Sequence, residues 1–286
     1  MSMRVEPTDA TLGAVITGVA LKDLDHASWR EIEAAFHEYG VLILPGQGLS
    51  SKQQVDFAAH FGEIERLVGD SPITSISNQK HDGSLLPDDS HNMRVMRGNE
   101  GWHTDSSYMP LSAKASILSA RVVPSKGGQT EWADMRAAYD ALGTNRRAEI
   151  AELSAYHSLF QSQAKIGHDV KVGSGYGFFD GEPPLRPLTK VHPETGRTAL
   201  YIGRHAYQIQ GLGNQESQKL LDELLEFACQ PPRTYMHDWQ PGDIAVWDNR
   251  CLLHRARPFD YAEPRVMMHT RIKGDPAAEA AESVRP

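Results

Sequence analysis

Apolar residues recur along the chain at two periods. Trp29, Ile32, Ala35 and Phe36 fall on one face of a helix that Gly40 stops, and the unbroken run Val41-Leu42-Ile43-Leu44 after it reads as a buried strand closed by Pro45-Gly46. A short strand over residues 14–19 precedes that helix. Ser51 and Gln54 have capping-box spacing and predict a helix reaching Gly62. Beyond residue 92 strand signals dominate, over 93–97, 114–123, 198–202, 233–237, 243–247 and 265–272. Two helices interrupt them. One has Asp134 as N-cap, Met135, Ala138, Tyr139 and Leu142 on a single face, and Gly143 as its stop. The other begins near Asn214, buries Leu221, Leu224, Leu225 and Ala228, and ends at Pro231-Pro232.

Residues 66–92 and 161–185 are different: rich in Gly and polar residues and without sustained period, they read as long loops of the kind that cover sites in compact domains. His81 and His91, in the first of them, read as solvated. The Ala/Glu-rich tail, residues 274–286, reads as frayed and disordered. No repeat or linker divides the rest, so residues 1–273 are expected to form one domain, mainly β with flanking helices, built as a closed or double-sheet antiparallel barrel.

Composition narrows the partners. A chain that is 40% hydrophobic and 23% charged can bury a sizeable core, and a net charge of −8 without a basic stripe argues against a nucleic acid. No stretch approaches the roughly 18 apolar residues of a membrane span, and the N-terminal segment lacks an apolar leader. Cys229 and Cys251 read as buried free thiols in a reducing compartment, and the expected location is cytoplasmic. Homo-oligomerisation is left open by the sequence.

The sharpest chemical signal is Trp102-His103-Thr104-Asp105-Ser106-Ser107. In extended backbone, residues two apart face one side, so this imidazole and carboxylate can grip one cation. His254, at the end of the apolar run that follows Pro241-Gly242, supplies a third ligand. Two histidines and a carboxylate are the facial set of non-haem iron(II) oxygenases, which leaves positions open, whereas structural zinc favours a closed tetrahedron. Eleven residues after His254 comes Arg265, far enough for a turn and a return on the neighbouring strand. Arg265, Met267, His269 and Arg271 then share one face. An interior guanidinium needs a partner, and a dicarboxylate co-substrate suits its planar fork.

These residues carry a resemblance. The stretches 98–108, 127–130 running into 134–142, 202–206 and 247–255 resemble the taurine dioxygenase and 2,4-dichlorophenoxyacetate dioxygenase family, and within it look most like the aryloxyalkanoate (phenoxypropionate) dioxygenases. The resemblance implies a double-stranded β-helix, or jelly roll, with His103, Asp105 and His254 as iron ligands. It further implies that Thr130, 27 residues after His103, and Arg265 hold the distal carboxylate of 2-oxoglutarate. Asn99, four before His103, corresponds to a polar residue near the open metal face. One position departs from the family pattern: fifteen residues after His254, where a second arginine is expected, stands His269. Arg271 and Arg204 are then alternative clamps for the substrate anion, and Tyr108, Met109, Tyr156 and Phe160 are candidates to line an apolar pocket.

The activity this implies uses iron(II), 2-oxoglutarate and dioxygen to hydroxylate the carbon beside the ether oxygen of a small anionic aryloxyalkanoate. The products are a phenol and a 2-oxo or aldehyde acid, with succinate and CO2. Oxidation of a sulfonate or alkyl sulfate by the same machinery is the nearest alternative, and a non-catalytic jelly-roll binding protein is the second.

Overall fold

The computed structural model of the chain describes residues 2–67, 69–178 and 180–282. Its first eight strands are β1 (Arg4–Pro7), β2 (Ala14–Thr17), β3 (Val41–Leu44), β4 (Ile64–Glu65), β5 (Thr74–Ser77), β6 (Ala113–Val122), β7 (Thr130–Asp134) and β8 (Ser154–His157). Eight more follow: β9 (Leu185–Pro187), β10 (Thr189–Val191), β11 (Thr198–Leu200), β12 (Ala206–Ile209), β13 (Thr234–His237), β14 (Ile244–Asp248), β15 (Leu252–Ala256) and β16 (Val266–Lys273). The α-helices are α1 (His26–Tyr39), α2 (Ser51–Ala58), α3 (His91–Gly98), α4 (Met135–Ala141), α5 (Thr144–Ile150), α6 (Leu159–Ala164), α7 (Asn214–Ala228) and α8 (Pro276–Glu279).

The doubly apolar strands lie at the centre of the large sheet, whose order is β1-β2-β3-β14-β6-β16-β4, with β5 also pairing β16. Strand alternation sends their side chains to two different cores. Leu42, Leu44, Ile117, Ile244 and Val246 pack with Ile32 and Phe36 of α1 and Phe57 of α2. Their neighbours Val41, Ile43, Leu118, Ala245 and Trp247 pack instead with Trp132, Ala133, Leu252 and Leu253 of a smaller antiparallel sheet, β13-β7-β15. Helices therefore cover one face of the large sheet and a second sheet covers the other. This is a jelly-roll core with flanking helices, the class expected from the sequence.

Several local expectations shift. Residues 93–97, read as a strand, lie in α3: Ser90 caps it by accepting from Met93 N, and only Met93 and Gly98 are buried, a helical spacing that five residues are too few to reveal. The capping box at α2 is one residue earlier, Ser50 with Gln53, and the helix ends at Ala58 rather than Gly62. Gln54 is buried instead, donating to Met268 O at 2.9 Å and accepting from Ser119 Oγ at 2.6 Å. Gly143 does not stop α4 but caps α5. The tail expected to fray folds back as far as residue 282. Glu279 of α8 is buried and ion-paired with Lys190, and Ala281 N donates to Pro110 O at 2.9 Å. Residues 283–286 lie outside the described residues. Both cysteines are free, as expected, but only Cys251 is buried and Cys229 is half-buried.

One cation ties the caps of two helices together. Asp134 caps α4 by accepting from the backbone of Arg136 and Ala137, and the Arg136 guanidinium returns to it, Nε to Oδ1 at 2.9 Å, with both groups buried. Nη1 of Arg136 also donates to the carbonyls of His37 and Glu38, both at 3.2 Å, in the last turn of α1. Gly40, which ends α1 at φ 73°, has no room for a side chain here: a Cβ would lie 3.1 Å from Arg136 Nη2. Arg136→Ala leaves a buried carboxylate unpaired and should lower the free energy of unfolding by about 3–5 kcal/mol, measured by urea titration. A loss below about 1 kcal/mol would mean that the pair contributes no more than an exposed one.

Candidate active site

After α3 the chain runs into β-like backbone and pairs with β15 at a single position. His103 N donates to His254 O at 3.0 Å, and His254 N donates to His103 O at 2.7 Å. This bridge brings the two rings to a centroid separation of 4.1 Å. Asp105, two residues on, faces the same way, its Oδ2 3.8 Å from His254 Nε2. One ligand atom from each of the three lies within 4.8 Å of the others, and all three residues are buried.

The surroundings put each group in its metal-binding form. His103 Nδ1 lies 2.8 Å from Gly101 O, which makes Nδ1 the protonated nitrogen and leaves the Nε2 lone pair free. Burial lowers the His103 pKa to about 4, with Asp105 opposing, and burial with the adjacent His103 holds His254 well below the usual histidine range. Burial works to raise the Asp105 pKa, but Arg271, then His254 and His269, outweigh it and keep the carboxyl well below its ordinary value. Two neutral imidazoles and one carboxylate fit a divalent cation with open positions.

Asp105 is held on every side. Ser116 Oγ donates to Oδ2 at 2.6 Å and Arg271 Nη2 to Oδ1 at 2.8 Å. Asn249 accepts from Asp105 N at 3.2 Å and from Trp247 Nε1 at 3.1 Å, and donates to Ser116 Oγ at 2.9 Å. Ser106, at φ 56°, is kept in its left-handed conformation by partners on three elements: Arg271 Nη1 at 2.9 Å, Glu65 Oε2 at 3.1 Å and Tyr176 OH at 2.9 Å. Arg271 is thus committed to Asp105, with Glu65 3.9 Å away. His269 Nε2 also lies 3.6 Å from Asp105 Oδ2, and its ring stacks on Trp247 at 6.1 Å. Both residues face Asp105, with His269 Nε2 and Arg271 Nε hydrogen-bonded to no described residue, and neither is the cation most free to meet a further anion.

Two other arginines are freer. Arg265 is buried, and its Nε donates to Gly128 O at 3.1 Å while its terminal nitrogens bond to no described residue. Burial lowers its pKa to about 10, with Tyr261 opposing. Gly128, at φ +70°, makes this approach possible, since a Cβ there would lie 3.1 Å from Arg265 Nε. Thr130, buried two residues further on, accepts from Trp239 Nε1 at 3.0 Å and donates to no described residue. Arg204, partly buried, donates to the carbonyls of Gly98 and, at 2.9 Å, Ser162, with no carboxylate within ion-pair distance among the described residues. Burial lowers its pKa to about 10 as well, opposed by Tyr108.

Tyr108 packs with Leu159 and Phe178, and Met109 and Phe160 lie against them. Tyr156 does not join this cluster; its ring pairs with Tyr207 at 6.1 Å. Asn99 ends α3, and its carbonyl accepts from Ala256 N at 2.8 Å, two residues past His254. Sequence reasoning missed Glu65, Ser116, Tyr176, Trp239 and His205. The last lies T-shaped to His103 at 5.8 Å, with Nδ1 2.9 Å from Ser162 Oγ. Its place beside Arg204 in a quoted motif was the one available signal. A second cluster, His192, Asp248 and Cys251, has metal-like proximity. It is an ion-pair site: Arg250 grips Asp248 through Nε at 2.8 Å and Nη2 at 2.6 Å, and burial drives the Cys251 thiol pKa up.

Residues 4–271 match the family model described as taurine catabolism dioxygenase TauD, TfdA family. The chain is 54% identical over 283 residues to the (S)-phenoxypropionate/alpha-ketoglutarate-dioxygenase of Sphingobium herbicidovorans, covering 97% of each chain. It is 50% identical over 292 residues to the protein of the same name from Delftia acidovorans, covering 99% of each. Among solved structures, AAD-2 in complex with Mn(II) and N-oxalylglycine superposes with a TM-score of 0.90 at 36% identity over the full length of both chains.

Because the Asp105 scaffold does not pass through β15, His254→Ala should abolish Mn(II) binding by calorimetry yet leave the circular dichroism spectrum intact. Unchanged Mn(II) affinity would remove His254 from the ligand set.

Proposed function

The chain belongs to the taurine catabolism dioxygenase TauD, TfdA family, and on that premise we propose that residues 1–273 form a single iron(II)- and 2-oxoglutarate-dependent dioxygenase domain acting on an aryloxyalkanoate. His103, Asp105 and His254 are the residues that hold the iron. Bound iron(II) supplies a centre where dioxygen is reduced at the expense of 2-oxoglutarate, which leaves as succinate and CO2, with one oxygen atom passed to a substrate C–H bond. The chain's own residues bind, orient and desolvate the reactants.

The observation that carries this reading is Arg265, a buried guanidinium with two terminal nitrogens unspent. A carboxylate satisfies that fork in bidentate fashion, and the Thr130 hydroxyl adds a third donor. Arg265 and His269 lie on one face of the strand, about 13 Å apart by four strand rises. A dicarboxylate held by Arg265 at one end can therefore present its other end to the triad. Fixing both ends sets the register of the 2-oxo acid before oxygen arrives.

Arg204 meets the substrate carboxylate, because Arg271 and His269 are turned to Asp105. Tyr108, Leu159 and Phe178 supply the apolar wall for the aryl ring, whose burial favours binding by about 25 cal/mol per Å². Hydroxylation of the carbon beside the ether oxygen gives a hemiacetal, which collapses to a phenol and a 2-oxo or aldehyde acid without a dedicated protein base. Both relatives reported above are named for (S)-phenoxypropionate, which supports the (S) enantiomer as the better substrate. The reading is of a cytoplasmic enzyme, and among the described residues no helix is long and apolar enough to cross a membrane.

Purified protein with iron(II), ascorbate and 2-oxoglutarate should release phenol and succinate from phenoxyacetate or a phenoxypropionate, and no sulfite from taurine. Succinate coupled to taurine alone would overturn the substrate class. In the same assay, Arg265→Ala should raise the 2-oxoglutarate KM by about one and a half to three and a half decades, the equivalent of about 2–5 kcal/mol for an unpaired buried charge partner. Arg204→Gln should raise the KM for the aryloxy acid at least tenfold while leaving that for 2-oxoglutarate in place. The reverse pattern would place the substrate anion elsewhere.

A further inference from the structure

Thr130 carries one donor and two acceptor sites on its hydroxyl, and the structure shows how they are divided. The indole N–H of Trp239 occupies an acceptor site at 3.0 Å, both residues are buried, and the hydroxyl proton is donated to no described residue. Trp239 is itself fixed. Its ring lies T-shaped on His237 at 4.9 Å, and His237 Nε2 is 3.0 Å from Asp243 Oδ2. The same carboxylate oxygen accepts from Gln240 N at 3.0 Å, closing the turn that carries Trp239. His237 also pairs directly with Thr130 across β13 and β7, so the turn and the threonine share one rigid register.

We infer that Trp239 is a positioning residue for 2-oxoglutarate: by occupying a lone pair of Thr130, its indole N–H commits the hydroxyl proton to the distal carboxylate that Arg265 grips. This rests on the proposed 2-oxoglutarate site. Without the indole, a threonine hydroxyl rotates among its staggered positions and can turn its lone pair toward an incoming carboxylate oxygen, which repels it. With the indole in place the only unspent donor of the hydroxyl points away from Trp239, toward the ligand. Trp239 does not touch the co-substrate. It acts on Thr130, and its effect must vanish when the hydroxyl does.

That dependence is the test, read by calorimetric titration of N-oxalylglycine, a 2-oxoglutarate analogue, into the Mn(II)-loaded protein. Trp239→Phe, which keeps an apolar ring and deletes the N–H, should weaken binding about two- to tenfold, the range expected for one neutral hydrogen bond. Thr130→Val, which removes a hydrogen bond to a charged carboxylate, should weaken it about ten- to a hundredfold, Thr130→Ser should bind as the parent does, and adding Trp239→Phe to Thr130→Val should cost nothing further. Equal losses from Trp239→Phe in the parent and in the Thr130→Val background would show that the ring acts by packing alone and would overturn the inference, as would no loss in either. Arg265→Ala reports separately on the underlying reading: if it does not weaken binding, the co-substrate site itself lies elsewhere. Should Trp239→Phe fail to fold, the five indole N–H resonances of ¹⁵N-tryptophan-labelled parent and Thr130→Val protein decide. One must move upfield and exchange faster in Thr130→Val, and five unchanged signals would overturn the bond.

Discussion

Two backbone hydrogen bonds between His103 and His254 fix where the chemistry of this protein can occur. They join a segment that has just left α3 to a strand of the smaller sheet, residues 151 positions apart in the chain, and set their rings 4.1 Å apart. Nothing else in the site has this freedom to fail. Once the bridge forms, the turn that follows it brings Asp105 to the same side, where the Asn249, Ser116 and Arg271 contacts hold it. At the bridge Trp247 packs against the His254 ring at 4.7 Å, so the candidate metal-binding imidazoles are positioned by the same close packing that stabilises the fold.

The second constraint is charge. Burying an ion without a partner is costly, and the interior of this protein divides its cations into two kinds. Arg136 and Arg250 are paired with the carboxylates two residues before them, Asp134 and Asp248, and reach distant segments at His37, Glu38 and Glu194, while Arg271 is paired with the distant Asp105. Arg204 and Arg265 have only carbonyl partners, and burial brings both down toward a pKa of about 10. Two guanidinium groups without a carboxylate partner among the described residues can accommodate two anions. A dicarboxylic co-substrate and an anionic substrate fit that pair, which is why the ligand-free charge distribution by itself favours the proposed chemistry over a binding role that needs one anion or none.

What could be read from the sequence follows from the range over which each signal acts. His103 and Asp105 share a local spacing, and Arg265, Met267, His269 and Arg271 lie on one face because strand alternation is a short-range rule; all four are buried, while of their alternates Val266 and Met268 are only partly so and Thr270 is buried too. The doubly apolar run of β3 likewise announced a central strand, and it has two cores to fill. Signals that depend on distant partners were invisible. Glu65 in a two-residue strand, Ser116 inside an apolar one and Tyr176 in a Gly-rich loop have no local pattern, and only folding brings them to Ser106 and Asp105. The helix over His91–Gly98 does not show in sequence because a five-residue window fits period 2 as well as 3.6, and the docking of the tail does not show because Glu279, its buried charged anchor, looks in sequence like a surface residue.

The position that departs from the family pattern shows how these constraints interact. His269 stands where the resemblance leads one to expect an arginine, and the strand carries Arg271 two residues further on the same face. That shift changes what the guanidinium reaches. From 271 it lies directly across from Glu65 in the strand register and within 2.8 Å of Asp105, so its charge goes to holding that carboxylate ionised. The imidazole at 269 instead stacks on Trp247 beside the same carboxylate. With β16 turned to Asp105, the proposed reading has the substrate anion met from another element, by Arg204 between Gly98 and Ser162. The two glycines around it, Gly98 and Gly101, have little room for larger residues: a Cβ on either would lie within about 3 Å of the Arg204 side chain. The segment leading into His103 is thus packed closely on Arg204, which sets the proposed anion-binding group beside the proposed metal ligand His103.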